Sequence, residues 1–236
     1  IQLPIQKPAK LHGQYFLNLA FTLAADTIWA ERGHEVAFAQ FPLPWKPAPA
    51  RAIAQNSMPG LKVRETKTAA VVTGSNFAIS FDKVRGTLAS WSYQNAELIV
   101  NGPRLNFWRA TTDNDRGGGN GSLSKQWRDA GLHWLQHRVN GVTVRPLGKS
   151  AMRITADVCI APPVHRQKAF DCVYTWTILG SGDVIAHMRG KIRGEWPAQL
   201  PRIGLMMGLS PRLDRVSWFG RGPGESYPDT HSATHF

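Results

Sequence analysis

Along residues 15–23, Tyr15, Leu17, Leu19, Phe21 and Leu23 alternate with Phe16, Asn18, Ala20 and Thr22, the period-two pattern of a strand with one face deeply buried. After a turn at Asp26-Thr27, residues 36–41 predict a second strand that ends at Pro42. Two strands cannot close a sandwich, so residues 1–48 read as the tail of a domain whose other strands lie outside the sequence. Pro42, Pro44, Pro47 and Pro49 mark the exit, and residues 49–68, Pro- and Ala-containing and then mixed polar, read as a linker. From Ala69 onward short β-type segments recur at 69–73, 77–82, 88–93, 142–147, 152–160, 170–178, 184–192, 203–209 and 216–220, with Gly, Pro, Asn or Asp between them. This rhythm predicts an all-β chain in which residues 69–236 form a large antiparallel sandwich. One helix is expected at 124–135, carrying Trp127, Leu132 and Leu135 inward, with Ser124 as its cap and Gly131 as an early stop.

Composition supports a packed core, since 42% of the 236 residues are hydrophobic, with nine Trp and ten Phe. The longest apolar runs fall far short of the ~20 residues of a membrane span. The N-terminus shows no basic-then-apolar leader and no initiator Met, so a processed end or a fragment is expected. Cys159 and Cys172, on two candidate strands that flank the 161–168 connection, read as reduced thiols, which points to the cytoplasm. The net charge of +12 permits attraction to polyanions, yet Lys and Arg are scattered singly, as at Arg138, Arg145, Arg153, Arg189, Lys191 and Arg193. That distribution disfavours a nucleic-acid-binding sandwich and favours a solvated basic face or one that docks on an acidic domain.

Candidate chemistry concentrates after the strand-like residues Leu105 and Phe107, in Arg109-Ala110-Thr111-Thr112-Asp113-Asn114-Asp115-Arg116-Gly117 and the following Gly118-Gly119-Asn120-Gly121. Short polar side chains can hydrogen-bond a turning backbone and glycines permit φ > 0, so the run reads as an Asx-type turn leading into a pliable loop. A calcium loop fits poorly, because the bidentate glutamate at the twelfth position is replaced by Ser124. His133 and His137 have the spacing of two zinc ligands on a helix, but neither an intervening Glu nor a third ligand accompanies them. Glu225 and Tyr227 sit beside the Gly222-Pro223-Gly224 turn, either exposed to a ligand or buried and satisfying each other. Of the Trp residues, Trp91, Trp176 and Trp218 lie in strand patterns and read as core, whereas Trp108 and Trp127 flank the glycine loop and could edge a site. No context for a catalytic carboxylate pair, about 5 to 5.5 Å apart in retaining glycosidases, is apparent.

Three stretches in order carry a resemblance: residues 29–43 (WAERGHEVAFAQFPL), the Phe107-Trp108-Arg109-Ala110 segment with Asp113-Asn114-Asp115, and residues 218–229 (WFGRGPGESYPD). Together they resemble the C-terminal region of the β-galactosidases of glycoside hydrolase family 2, over residues 13–236. Residues 77–83, the Ala161-Pro162-Pro163-Val164 turn and the residues around Glu225 look closest to the evolved β-galactosidase branch. The resemblance implies the end of an immunoglobulin-like sandwich followed by part of a large galactose-mutarotase-like sandwich, the family's small-chain domain, truncated at its C-terminus. It implies that the catalytic glutamates lie in a preceding barrel, so this chain alone is expected to be inactive. It further implies a mobile loop over 117–123 at the active-site edge, with Gly117 as hinge and Asp113, Asn114 and Asp115 as its anchoring cluster. The intact family enzyme hydrolyses terminal β-D-galactosides such as lactose, uses magnesium and often sodium, and is oligomeric. The alternative is a separate carbohydrate-binding or assembly subunit that complements a catalytic chain. With sheet edges and apolar faces uncovered, the isolated chain is expected to aggregate or oligomerise.

Overall fold

A computed structural model of the chain describes residues 4–48, 54, 57–163, 167–227 and 230–236. Pro49, Val164, Pro228 and Asp229, which the sequence singles out, lie outside these residues, as does part of the expected linker. The chain divides into two compact units, one within Ile1–Ala52 and Val216–Phe236 and the other within Ile53–Arg215.

In the first unit, β1 (Phe16–Thr22) and β2 (Glu35–Pro42) form an antiparallel hairpin, with Phe16 opposite Pro42 and Ala20 opposite Phe38. Both expected strands are present, but the expected deep burial of one face is not. Leu17 and Leu19 are half-buried, whereas Phe21, Val36 and Phe41 are exposed by half or more. A two-stranded ribbon has no second layer to cover either face. Residues 216–220, expected as a strand, are irregular. The segment Val216–Phe236 instead packs in this unit, where the Phe236 ring stacks on Phe16 at 5.0 Å and its N–H donates to Gln40 Oε1 at 2.9 Å.

In the second unit, β3 (Lys62–Glu65), β4 (Ala69–Thr73), β5 (Phe77–Asp82), β6 (Thr87–Tyr93) and β7 (Ala96–Glu97) form an antiparallel meander. The first of these lies inside the expected linker, where alternation of Lys and Arg with Val63 is too polar to read as a strand. It exists because Lys62 to Glu65 pair with Thr73 to Ala70. A second sheet is built from β9 (Gln136–Pro146), β10 (Ala151–Ala161), β11 (Ala169–Leu179) and β12 (Val184–Arg193), in spatial order β12-β11-β10-β9. In a third, two-stranded sheet β8 (Ile99–Asn106) pairs with β13 (Gly204–Leu209).

The core is a layer of alternating inward residues from both larger sheets. Val72, Ile79 and Phe81 from the meander join Ile154, Val158, Ile160, Tyr174, Trp176 and Ile178 from the second sheet in one buried cluster. Fully burying each such side chain contributes roughly 1.5–3 kcal/mol, so this layer dominates the unit's stability. Cys159 and Cys172 are free and buried. Register pairs Cys159 with Asp171 and Val158 with Cys172, so the two thiols point to opposite faces of their sheet rather than toward each other. Burial pushes the Cys172 thiol up to about 11. Beyond this core, Ile203, Leu205, Met206, Met207 and Leu209 on and beside β13 are exposed.

Candidate functional site: an anchored turn beneath a glycine loop

Phe107 fixes the start of the site by stacking on Phe170, with ring centroids 3.9 Å apart. Asn106 then braces the exit from β8, its Nδ2 donating to the Trp108 carbonyl at 2.7 Å. Beyond it the expected Asx-type turn is a single helical turn, α1 (Asp113–Arg116), with a reciprocal cap. Asp115 N–H donates to Thr112 Oγ1, while Thr112 N–H donates to Asp115 Oδ2 at 2.7 Å. This is the Thr-x-x-acid spacing of a capping box, which satisfies two otherwise orphaned backbone donors.

Arg109 ties this turn to two neighbours. Its guanidinium donates from Nη1 to Asp115 Oδ2 at 2.6 Å and from Nη2 to Asp115 Oδ1 at 3.1 Å, a bidentate fork. Nε donates to the Pro201 carbonyl at 3.2 Å, and the guanidinium lies 5.2 Å from the Trp127 ring centroid. The Arg109 hydrogen bonds, opposed by burial, hold the Asp115 carboxyl well below the usual range, at about 2. Asp115 is buried, and it is the member of the expected cluster that anchors the turn. Asp113 and Asn114 are exposed; among the described residues the Asp113 carboxylate makes only a 3.6 Å solvent-exposed ion pair with Arg116.

The glycine loop follows directly. Gly117 has φ −59°, a conformation open to any residue, whereas the left-handed turn occurs at Gly118 (φ 88°) and Gly119 (φ 59°). Residues 117–121 are exposed and their backbone bonds are local, from Gly117 N–H to Asp113 O and from Gly121 N–H to Gly118 O. The loop closes onto α2 (Leu123–Asp129), which is capped by Ser122 accepting from Lys125 N–H at 3.3 Å. Ser124, the expected cap, lies inside the first turn and is buried. Gly131, at φ 75°, does turn the chain after α2, but residues 132–134 continue as a short 3-10 turn.

The aromatic candidates separate. Trp127 is 2% exposed, donates from Nε1 to the Gln199 carbonyl at 2.8 Å and carries Arg109 on its ring, so it offers no face to a sugar and serves as a post under the turn. Trp108 is half-buried, with the Arg128 guanidinium 5.4 Å from its ring centroid and the His133 ring at 5.6 Å. His133 lies in the 3-10 turn and His137 on β9, so they do not share a helical face as zinc ligands would. Burial, aided by Arg104, pulls His137 down to about 4. Glu225 and Tyr227 belong to the other unit and are exposed; rather than bonding each other, they hold Thr230 and His231 through their backbones. Among the described residues no group of three or more His, Cys, Asp or Glu could hold a metal ion.

Comparison with known proteins decides the family. Residues 73–236 match the model described as β-galactosidase small chain, and residues 1–44 match β-galactosidase, domain 4. The chain belongs to the β-galactosidase small-chain family. It is 34% identical to a β-galactosidase of Priestia megaterium over 96% of this chain and 21% of that protein. It is 32% identical to one from Arthrobacter sp. strain B7, over 95% of this chain and 22% of that protein. A more distant relative, the β-galactosidase of Kluyveromyces lactis, is 27% identical over 86% of the chain. The chain thus spans about a fifth of the length of these relatives and corresponds to the C-terminal, non-catalytic region of a family 2 β-galactosidase. Within that small-chain region, Arg109 and Thr112 are the anchoring residues that sequence reasoning missed. Only the capping-box spacing from Thr112 to Asp115 could have signalled one of them.

Proposed function

We propose that this chain works as the accessory portion of a β-galactosidase that hydrolyses terminal β-D-galactosides such as lactose in the cytoplasm. The catalytic carboxylates, and the magnesium and sodium of the intact enzyme, would reside on a barrel domain or subunit that is this chain's partner within an oligomer. Its contribution is the 117–123 loop at the edge of the active site, which settles over bound galactoside. The observation that carries this reading is a pliable loop on a fixed base: exposed glycines at 117–121 lie between Asp115, clamped by Arg109, and buried Trp127. A loop that closes on substrate needs both properties, freedom at its tip and an anchored root. Trp108 supplies the half-buried aromatic surface beside it. Glu225 and Tyr227 present a second, exposed turn for a saccharide or a partner.

The test is complementation. The chain is assayed with a chromogenic β-galactoside alone and after mixing with a family 2 barrel segment that lacks these domains. Activity only in the mixture, with a Gly118→Pro variant raising KM or lowering kcat without abolishing association, supports the reading. Hydrolysis by the chain alone, or an associated mixture that remains silent, overturns it.

A further inference from the structure

The scattered basic residues of the sequence are brought together by the register of the second sheet. Its inner face is the core; its outer face carries the alternate residues of each strand. Across that face Arg145 pairs with Arg153, which neighbours Thr177, which neighbours Ile185. Two residues further along each strand, Thr143, Thr155, Thr175 and His187 form a row. Next, Asp157 pairs with Val173 and Val173 with Arg189; last, Arg138, Cys159, Asp171 and Lys191 lie side by side. Arg193 crosses back to Asp171, with Nε at 2.8 Å from Oδ2.

The outer face therefore holds Arg138, Arg145, Arg153, Arg189, Lys191 and Arg193 against Asp157 and Asp171. Among the described residues only Arg193 is neutralised by an ion pair, and Arg145, Arg153, Arg189 and Lys191 lie within ion-pairing distance of no carboxylate. All four are exposed. Arg145 and Arg153 stand directly opposite each other, and like charges in cross-strand positions destabilise a sheet. An incoming carboxylate between them would turn that repulsion into attraction.

From this juxtaposition we infer that the outer face of the β9–β12 sheet is a docking surface for an acidic protein surface. The cations lie around the rim, in the first and last rows and, at Arg189, on the outer strand β12, around a middle of Thr155, Thr175 and Val173 in which Asp157 is the one charged side chain. That arrangement fits a protein interface, with a largely uncharged centre and a charged rim, better than a continuous stripe that tracks phosphates. The face also carries no Phe, Tyr or Trp on which a base could stack. A second copy of this basic chain would be repelled. The inference stands apart from the proposed role of the glycine loop, which lies on other elements.

The test uses the 236-residue chain and fluorescein-labelled poly-L-glutamate, with an oligo-dT of matched charge as comparator, read by anisotropy across a salt titration. An R153E/R189E variant is compared with K7E/K10E, which removes the same charge from the first unit. The expected result is poly-L-glutamate binding that weakens about tenfold or more in R153E/R189E and less than about twofold in K7E/K10E. Because R153E places opposite charges across the strand from Arg145, its melting temperature is expected to be no lower than that of the parent. Should the double variant fail to fold, amide exchange of the parent with and without poly-L-glutamate must show protection confined to β9–β12. Equal weakening in both variants, absence of binding, protection elsewhere, or tighter oligo-dT binding lost through the same residues would each overturn the inference.

Discussion

The β1–β2 hairpin and the β10–β11 pair are written in the same alternating pattern, yet one buries neither face and the other buries nearly every second residue. In β11, Phe170, Cys172, Tyr174, Trp176 and Ile178 are all less than 4% exposed. In the hairpin, Phe21 and Phe41 are half-exposed. The difference is a facing layer: β4 and β5 cover the inner side of β10 and β11, and among the described residues no sheet within the first unit does this for the hairpin. Alternation therefore encodes a strand and the side it would bury, while burial itself depends on what packs above it.

The sharpest way to break that comparison is to truncate one large side chain on each side of it. Trp176→Ala should cost about 3–5 kcal/mol in denaturant melts, whereas Phe21→Ala should cost less than about 0.5 kcal/mol. Trp176 also has a buried indole N–H with no partner among the described residues. Trp176→Phe, which removes that orphaned donor, should thus lose distinctly less than Trp176→Ala.

Within the sandwich unit, the anchored turn offers the next largest effect. Asp115→Ala should cost about 2 kcal/mol, below the loss expected for a wholly buried pair because the Arg109 side chain is 26% exposed. The pH dependence follows from the same group. Asp115 is lowered from 3.8 to about 2 in the folded state, so its contribution is complete above pH 3.8 and is lost as pH falls toward 2. His137, lowered from 6.5 to about 4, contributes above pH 6.5 and loses that contribution as pH falls toward 4. Melts from pH 7 to 2 should therefore show two limbs, with Asp115→Ala flattening the lower and His137→Gln the upper.

Glycine positions give the smallest and most discriminating effects. Gly118→Ala, at φ 88°, should cost about 1 kcal/mol or slightly more. Gly117→Ala places a Cβ 3.5 Å from the Asn114 carbonyl, an ordinary contact at an ordinary φ, and should change stability by less than about 0.5 kcal/mol. A large stability loss at Gly117 and none at Gly118 would reverse the assignment of the turn.

Much of the fold was legible because its core strands bury one face and so repeat with period two, as β4, β5, β10 and β11 do, while β6, β12 and β13 were recoverable as short β-type segments bounded by turn residues. What failed lacked that signal. The β3 strand is fully exposed and exists through pairing with β4, and residues 216–220 are apolar without forming a ladder. At the candidate site, the glycines and the Asp113-Asn114-Asp115 run marked the place. The anchor did not show, because it depends on Arg109 reaching carbonyls and rings at Pro201 and Trp127, contacts that no local spacing encodes.

Amide hydrogen exchange on the intact 236-residue chain tests the account most directly, because it reads both contrasts at once. Slow exchange is expected in β10 and β11 and fast exchange in the β1–β2 hairpin. Within the sandwich unit, residues 118–121 should exchange quickly between a protected Asp115 and a protected Trp127. A hairpin as protected as β11, or a loop as protected as the residues that flank it, would contradict the view that a closed core fixes the root of an exposed, locally bonded glycine loop.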